Sequence, residues 1–317
     1  MLPECIAYGR IILIATPAFM LQNMFQSFLV TAEKPQIGLV VTIAAGVTNM
    51  ILDALFIAVF DWGVEGAAIA TALSQCVGGV IPLVYFAVKN TSCLKLTKTN
   101  FDGSVLFKTC TNGSSEFLTN ISMSLVSMLY NIQLMKYAGE DGIAAYGVIM
   151  YVQFIFIAIF LGYSIGTAPI VGFDYGAENY DELKNIYSKS MKIILGAGTV
   201  LMTFALVFSG TLAKIFVGYD AELMALTARG FRFYAVSFLI CGFSIYGSAF
   251  FTALNNGIVS AAISFLRTVV FQVAAVLILP IFWKIDGIWL SIIVAETASL
   301  TVTTFFLWKY KGKYGYK

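Results

Sequence analysis

Long uncharged runs alternate with short polar breaks along the whole chain, and the spacing of the breaks sets the elements. Residues 11–32 carry no charge, 36–60 carry only Asp53, and 66–88 carry none. Residues 117–135 are uncharged but dotted with Ser and Asn. A longer uncharged run, 142–173, has Pro169 near its end, and 193–213 follows. The run 233–266 is too long for one crossing. The turn triplet Asn255-Asn256-Gly257 divides it, and its second part continues through Arg267 to Trp283. Residues 287–308, with Glu296 inside, close the series. A membrane helix needs about 20 apolar residues, so the pattern predicts nine spans and an all-α, polytopic membrane protein. The first run does not read as a signal peptide, because no basic segment precedes it and another span follows at once.

Composition agrees and removes most chemistry. Of 317 residues, 59% are apolar and only 11% charged, where soluble domains carry about 25% charge; mean hydropathy is +0.87. A net charge of +2 leaves no basic field for nucleic acid. The chain contains no histidine, which excludes His general bases, Ser-His-Asp and Cys-His catalysis and His-ligated metals. Enzyme function is therefore not expected, and neither is a cofactor. The cysteines, Cys5, Cys76, Cys93, Cys110 and Cys241, are scattered without a CxxC spacing and read as reduced thiols, although Cys93 and Cys110 could meet.

Lysines and arginines orient the spans. The segments after spans one, three, five, seven and nine hold twelve of them, against six on the opposite side. That places the C-terminus in the cytoplasm and Met1 outside. An offset of 221 residues then superposes the first three spans on the last three without a gap. It pairs Ser27 with Ser248, Thr31 with Thr252, Trp62 with Trp283 and Gly66 with Gly287. Both copies run in the same direction, so the repeat is parallel. Six spans in the second unit imply six in the first, so three helices are expected upstream of Met1 in an intact molecule. The expected organisation is 1–88 as the second half of an N-lobe, 89–111 as a basic cytoplasmic linker, 112–309 as a C-lobe and 310–317 as a cytoplasmic tail.

Several words in the chain resemble the multidrug and toxic-compound extrusion (MATE) family. One is Asn49-Met-Ile-Leu-Asp53-Ala-Leu-Phe-Ile57, followed by Gly63-Val-Glu-Gly66-Ala-Ala-Ile-Ala-Thr71 and Ser74-Gln75. Another is Pro169-Ile-Val-Gly-Phe-Asp-Tyr175-Gly-Ala177-Glu-Asn179; Glu140-Asp141-Gly142-Ile-Ala-Ala-Tyr146 is a third. The likeness spans the whole chain as family helices 4 to 12. It implies a two-lobe helical bundle arranged as a V, with nine of twelve helices present. It also implies a monomer in the bacterial plasma membrane that exchanges Na⁺ or H⁺ for lipophilic cationic compounds.

An ionisable residue inside a span is costly and marks function. Asp53 is the sharpest case, with Asn49 four residues earlier on the same face. Thr71 and Gln75 are likewise four apart on the next span, and Gln26 lies on the preceding one. Together they form an oxygen-rich cluster suited to Na⁺ or a proton. The family resemblance assigns Asn49, Asp53 and Thr71 to the cation site, with Gln26 as a further partner; the alternative is a polar patch that glues helices. Glu116 and Asn120 on one span, Gln75, and Met123, Met150, Tyr151 and Phe154 are candidates for a substrate cavity. Residues 227–254 contain no Asp or Glu, which argues against a cation site of the family's kind in the second lobe. Arg267 and Glu296 lie on neighbouring spans and are expected to pair. The rival readings are a lipid-linked oligosaccharide flippase, which would want more arginines in its cavity, a membrane acyltransferase, and an inert transporter fragment.

Overall fold

The computed structural model describes residues 2–88, 92, 94–97 and 101–316. All of its regular structure is helical. Seven continuous helical stretches are long and apolar enough to cross a membrane. Two contain a backbone break, at Gly139 (φ 65°, ψ −151°) and at Lys284 (φ 49°, ψ −126°), so nine long helices are present among the described residues. They are α1 (Leu2–Thr31), α2 (Pro35–Asp53, continued by a wider π-helical turn Ala54–Val59), α3 (Gly63–Ala87), α4 (103–138), α5 (140–176), α6 (Tyr180–Val207), α8 (Ala221–Ala253), α9 (257–283, with a π-helical turn at Leu266–Phe271) and α10 (285–314). A short helix, α7 (Ser209–Val217), sits between α6 and α8. The chain is a polytopic helical membrane protein.

Local chemistry starts and stops these helices. Pro35 opens α2 with a preset φ. Asp102 caps α4 by accepting from the amides of Ser104 and Val105, Asn179 caps α6 and Asp220 caps α8. Asn256, from the turn triplet, accepts from the amide of Val259 at the start of α9. Left-handed residues mark the corners, among them Glu33, Asp61, Gly63, Gly139, Glu178, Asn255 and Lys284.

Two compact units are present, Met1–Phe101 and Asp102–Lys317. In the first, α3 packs against both α1 and α2. Gly78 and Gly79 let α1 approach closely: a Cβ at Gly79 would stand 2.7 Å from the Ala18 carbonyl oxygen. Near the α1–α2 corner Phe25, Leu29, Ala32 and Phe86 form a small core, with Phe25 stacked on Phe86 at 5.6 Å.

The second unit is organised on α8. About two-thirds of its most apolar stretch is buried, against a third or less in every other long helix. Gly230 meets Ile149, Gly242 meets Phe160 and Gly247 meets Thr303, so three neighbours seat directly on the α8 backbone. Hydroxyls fasten the helices where lipid supplies no hydrophobic drive: Ser248 bonds Ser260 at 2.9 Å, Ser299 bonds Ser244 at 3.1 Å, and Tyr130 bonds Ser291 at 2.6 Å.

Part of the expected linker 89–111 lies outside the described residues, including Cys93, while residues 103–111 belong to α4. Cys110 is a free thiol. Residues 310–316 do not hang free. The α10 helix runs on to position 314, and Tyr316, 1% exposed, stacks near Tyr187 and Phe250 while donating to the Leu307 carbonyl at 2.7 Å. Burial pushes the Tyr316 hydroxyl pKa up, keeping it a donor.

The repeat reappears as geometry. α1, α2 and α3 correspond to α8, α9 and α10. Thr31 donates to the Ser27 carbonyl at 3.0 Å, and Thr252 donates to the Ser248 carbonyl at 3.1 Å. The left-handed residue entering the third helix is Gly63 in one copy and Lys284 in the other, 221 positions apart. Just beyond it, Gly66 rests on Phe56 and Gly287 on Leu279, in each case against the end of the preceding helix.

The close approach of α1 and α3 has a measurable consequence. Gly79→Ala should cost about 1–3 kcal/mol through overpacking on Ala18. Gly46→Ala, whose Cβ would meet nothing within 4 Å, should be nearly neutral. Thermal denaturation midpoints in detergent check this; equal midpoints would contradict the packing.

Candidate functional site

Each unit carries its own concentration of polar groups inside apolar helices. In the first, Asp53 closes the α-helical part of α2, directly before the π turn Ala54–Val59. Such turns widen the helix and recur at functional positions. The Asp53 side chain is half-buried, and its Oδ1 is shielded from solvent without a hydrogen-bond partner. Counting outward from the corner at 60–62, the antiparallel hairpin sets Asp53 at about the level of Thr71, and Asn49 at about the level of Gln75. Gln75 Oε1 is likewise buried and without a partner. Asn49 and Thr71 are half-buried, and the Thr71 carbonyl accepts from Ser74 Oγ at 2.8 Å.

Gln26 is held elsewhere. Its amide donates to Thr42 at 2.7 Å, eleven residues before Asp53 on α2, which is roughly 16 Å along the helix at 1.5 Å per residue. Proximity of spans suggested it as a partner of Asp53; its depth in the bundle rules that out.

No lysine or arginine among the described residues pairs with Asp53. An unpaired carboxylate out of water is strongly disfavoured. The orphaned Asp53 oxygen and a second orphaned oxygen on α3 are donor atoms of the kind that coordinate a hard cation.

The second unit holds a cavity of about 1100 Å³ formed by α4, α5, α8, α9 and α10. Met123, Met128, Met135, Met150 and Phe154 supply much of its wall, and Asn131, Gln153, Gln272, Arg267 and Glu296 its polar groups. Of the residues expected there, Met123, Met150 and Phe154 line it. Tyr151 faces outward, 68% exposed. Asn120 is exposed and does not line it, and Gln75 belongs to the first unit. The Glu116 side chain lies outside the described residues. Gln153 was missed, although it is the sole amide in the run 142–173; its Oε1 is buried without a partner.

Arg267 and Glu296 pair as expected. Arg267 Nε donates to both carboxylate oxygens of Glu296, at 3.0 and 3.1 Å, and Nη2 donates to Oε1 at 2.8 Å. Under the 221-residue offset Glu296 corresponds to Gln75. One unit thus neutralises its buried acid internally, while in the other no counter-charge pairs with Asp53 among the described residues.

The sequence and the fold are similar to those of known proteins. The MatE family model matches residues 117–278, just over half of the chain. The chain belongs to the MatE family of membrane transporters. It is 25% identical over 293 residues to the multidrug export protein MepA of Staphylococcus saprophyticus, a match that covers 92% of this chain and 64% of that protein. The chain thus spans about 64% of the length of this relative. Among solved structures, "Crystal structure of MATE in complex with MaL6" matches with a TM-score of 0.91 at 22% identity, over 98% of this chain and 71% of that one. An outward-facing multidrug resistance MATE transporter of the MOP superfamily also gives 0.91, at 23% identity, over 98% and 70%. These likenesses establish the fold.

The buried ion pair makes its own prediction. Arg267→Ala or Glu296→Ala should destabilise the second unit by about 3–5 kcal/mol, by leaving one charge buried alone, whereas an apolar pair, Arg267→Met with Glu296→Leu, should be close to neutral. Detergent-denaturation midpoints of the three variants test this; equal losses in all three would assign the pair a different role.

Proposed function

We propose that this chain is part of a secondary active exporter in which entry of Na⁺ or H⁺ at Asp53 drives lipophilic small molecules outward. The observation that carries the proposal is the orphaned oxygen of Asp53, level with the Thr71–Gln75 turn of α3 and without any described counter-charge. A transporter that couples to a cation needs a carboxylate that is costly when empty and satisfied when occupied. Binding then changes the local charge and shifts which packing of the helices is favoured. Asn49, Thr71 and Gln75 would complete the oxygen set. The methionine-walled cavity of the second unit, with about 1100 Å³ of space, is large enough for a drug-sized molecule.

Kinship with export proteins of bacteria supports a multi-pass protein of the plasma membrane. The excess of lysine after the odd-numbered spans favours a cytoplasmic C-terminus. The flippase reading gains nothing from the cavity, whose lining among the described residues includes one arginine where a pyrophosphate would want several.

Asp53→Asn should abolish cation-driven efflux while leaving membrane insertion intact. Cells producing the full gene product are loaded with ethidium, and efflux is followed under an imposed Na⁺ or pH gradient. Efflux at the unsubstituted rate in the Asn variant would overturn the role of Asp53.

A further inference from the structure

We propose that Arg267 selects the ligand of the second-unit cavity, and that this cavity prefers an amphiphile bearing a carboxylate over a simple lipophilic cation. The inference rests on the transporter reading above and deepens it by naming the substrate class.

The charge inventory of the wall carries the argument. Among its described residues the cavity has one carboxylate, Glu296, and one cation, Arg267. The Glu296 side chain is only 6% exposed, and both of its oxygens already accept from the guanidinium. A cationic ligand seeking that carboxylate would have to displace a tethered, bidentate partner, which is the strongest arrangement the two groups can make. Arg267 is the more accessible member, with 22% of its side chain exposed. It spends Nε and Nη2 on Glu296, and Nη1 makes no hydrogen bond among the described residues. A guanidinium has five donors in a fixed fork and no acceptor, so what it still offers the cavity is an anion-binding edge.

Among the other polar groups of the wall, the unpaired one fits the same ligand. Gln153 Oε1 is a buried acceptor without a partner, which suits an N–H on the ligand. Met123, Met128, Met150 and Phe154 provide an adaptable apolar surface for its body. The wall therefore offers a donor edge for a carboxylate, an acceptor for an N–H and a soft apolar bed between them.

The test uses two probes that differ in the relevant group alone. Rhodamine 110 carries a free carboxylate; rhodamine 123 is its methyl ester and a plain cation. Fluorescence anisotropy measures binding of each to the full gene product in nanodiscs, corrected with empty nanodiscs. The unsubstituted protein should bind the free acid about tenfold more tightly, the worth of a charge-assisted hydrogen bond. The neutral, similarly sized pair Arg267→Gln with Glu296→Gln should bind both probes within about twofold, because the donor edge is lost without stranding a buried charge. Arg267→Lys, which keeps the charge and loses the fork, should fall between the two. Preference for the ester by the unsubstituted protein, or retention of the acid preference in the double variant or undiminished in the lysine variant, overturns the proposal and leaves the transporter reading standing. Binding of neither probe to the folded protein overturns the cavity reading itself, and this proposal with it.

Discussion

A polar atom carried into hydrocarbon must find its partner inside the protein, because the bilayer offers none. The architecture follows from that constraint. The backbone meets it by being helical throughout the described spans, and hydroxyls meet it by bonding to a carbonyl one turn earlier or to a neighbouring helix, as Thr252 and Ser260 do. Charges meet it in two ways. Glu296 is answered by Arg267 from the same unit. Among the described residues Asp53 has no cationic partner, and this contrast between two halves of one repeat separates an acid answered within its own unit from one that is not.

Packing in the second unit serves the cavity. The buried helix α8 carries small residues where its neighbours seat, and the aromatic and aliphatic side chains of those neighbours fill the space close to its axis. Methionines collect on α4 and α5 where these helices line the cavity. The rigid side is built from Gly, Ser and Phe contacts, and the adaptable side from thioethers. A site that accepts ligands of varied shape needs both: a fixed frame to hold the Arg267–Glu296 pair in register, and a wall that can repack around what it holds.

Much of this was legible in the chain because the bilayer imposes a length. Nine apolar runs became nine helices, the Asn255-Asn256-Gly257 triplet became a corner, and the 221-residue offset became matching hydrogen bonds at Thr31 and Thr252. Rotation and depth were less legible. Met150 and Tyr151 are adjacent in sequence but about 100° apart around a helix, and only the first reaches the cavity. Gln26 lies on the right helix at the wrong depth, which counting from the α1–α2 corner would have revealed. Gln153 stood out as the lone amide of its run, a signal of the kind that singled out Asp53. The π turns left no mark, since neither contains a proline or glycine; they are choices of hydrogen-bond partner, not of residue type.

Those two turns bear on how the halves of the repeat correspond. A π turn accommodates one extra residue in an otherwise regular helix. The first copy takes its extra residue at 54–59; the second takes it at 266–271, which the offset maps onto 45–50. The two insertions compensate, so the copies align end to end without a gap. Between them the two copies are out of phase by one on this count, which pairs Asp53 with Ala275 and not Ala274. A gapless alignment of duplicated helices can thus conceal a local slip of about 100°, and here the slip falls on the residue that distinguishes one half from the other.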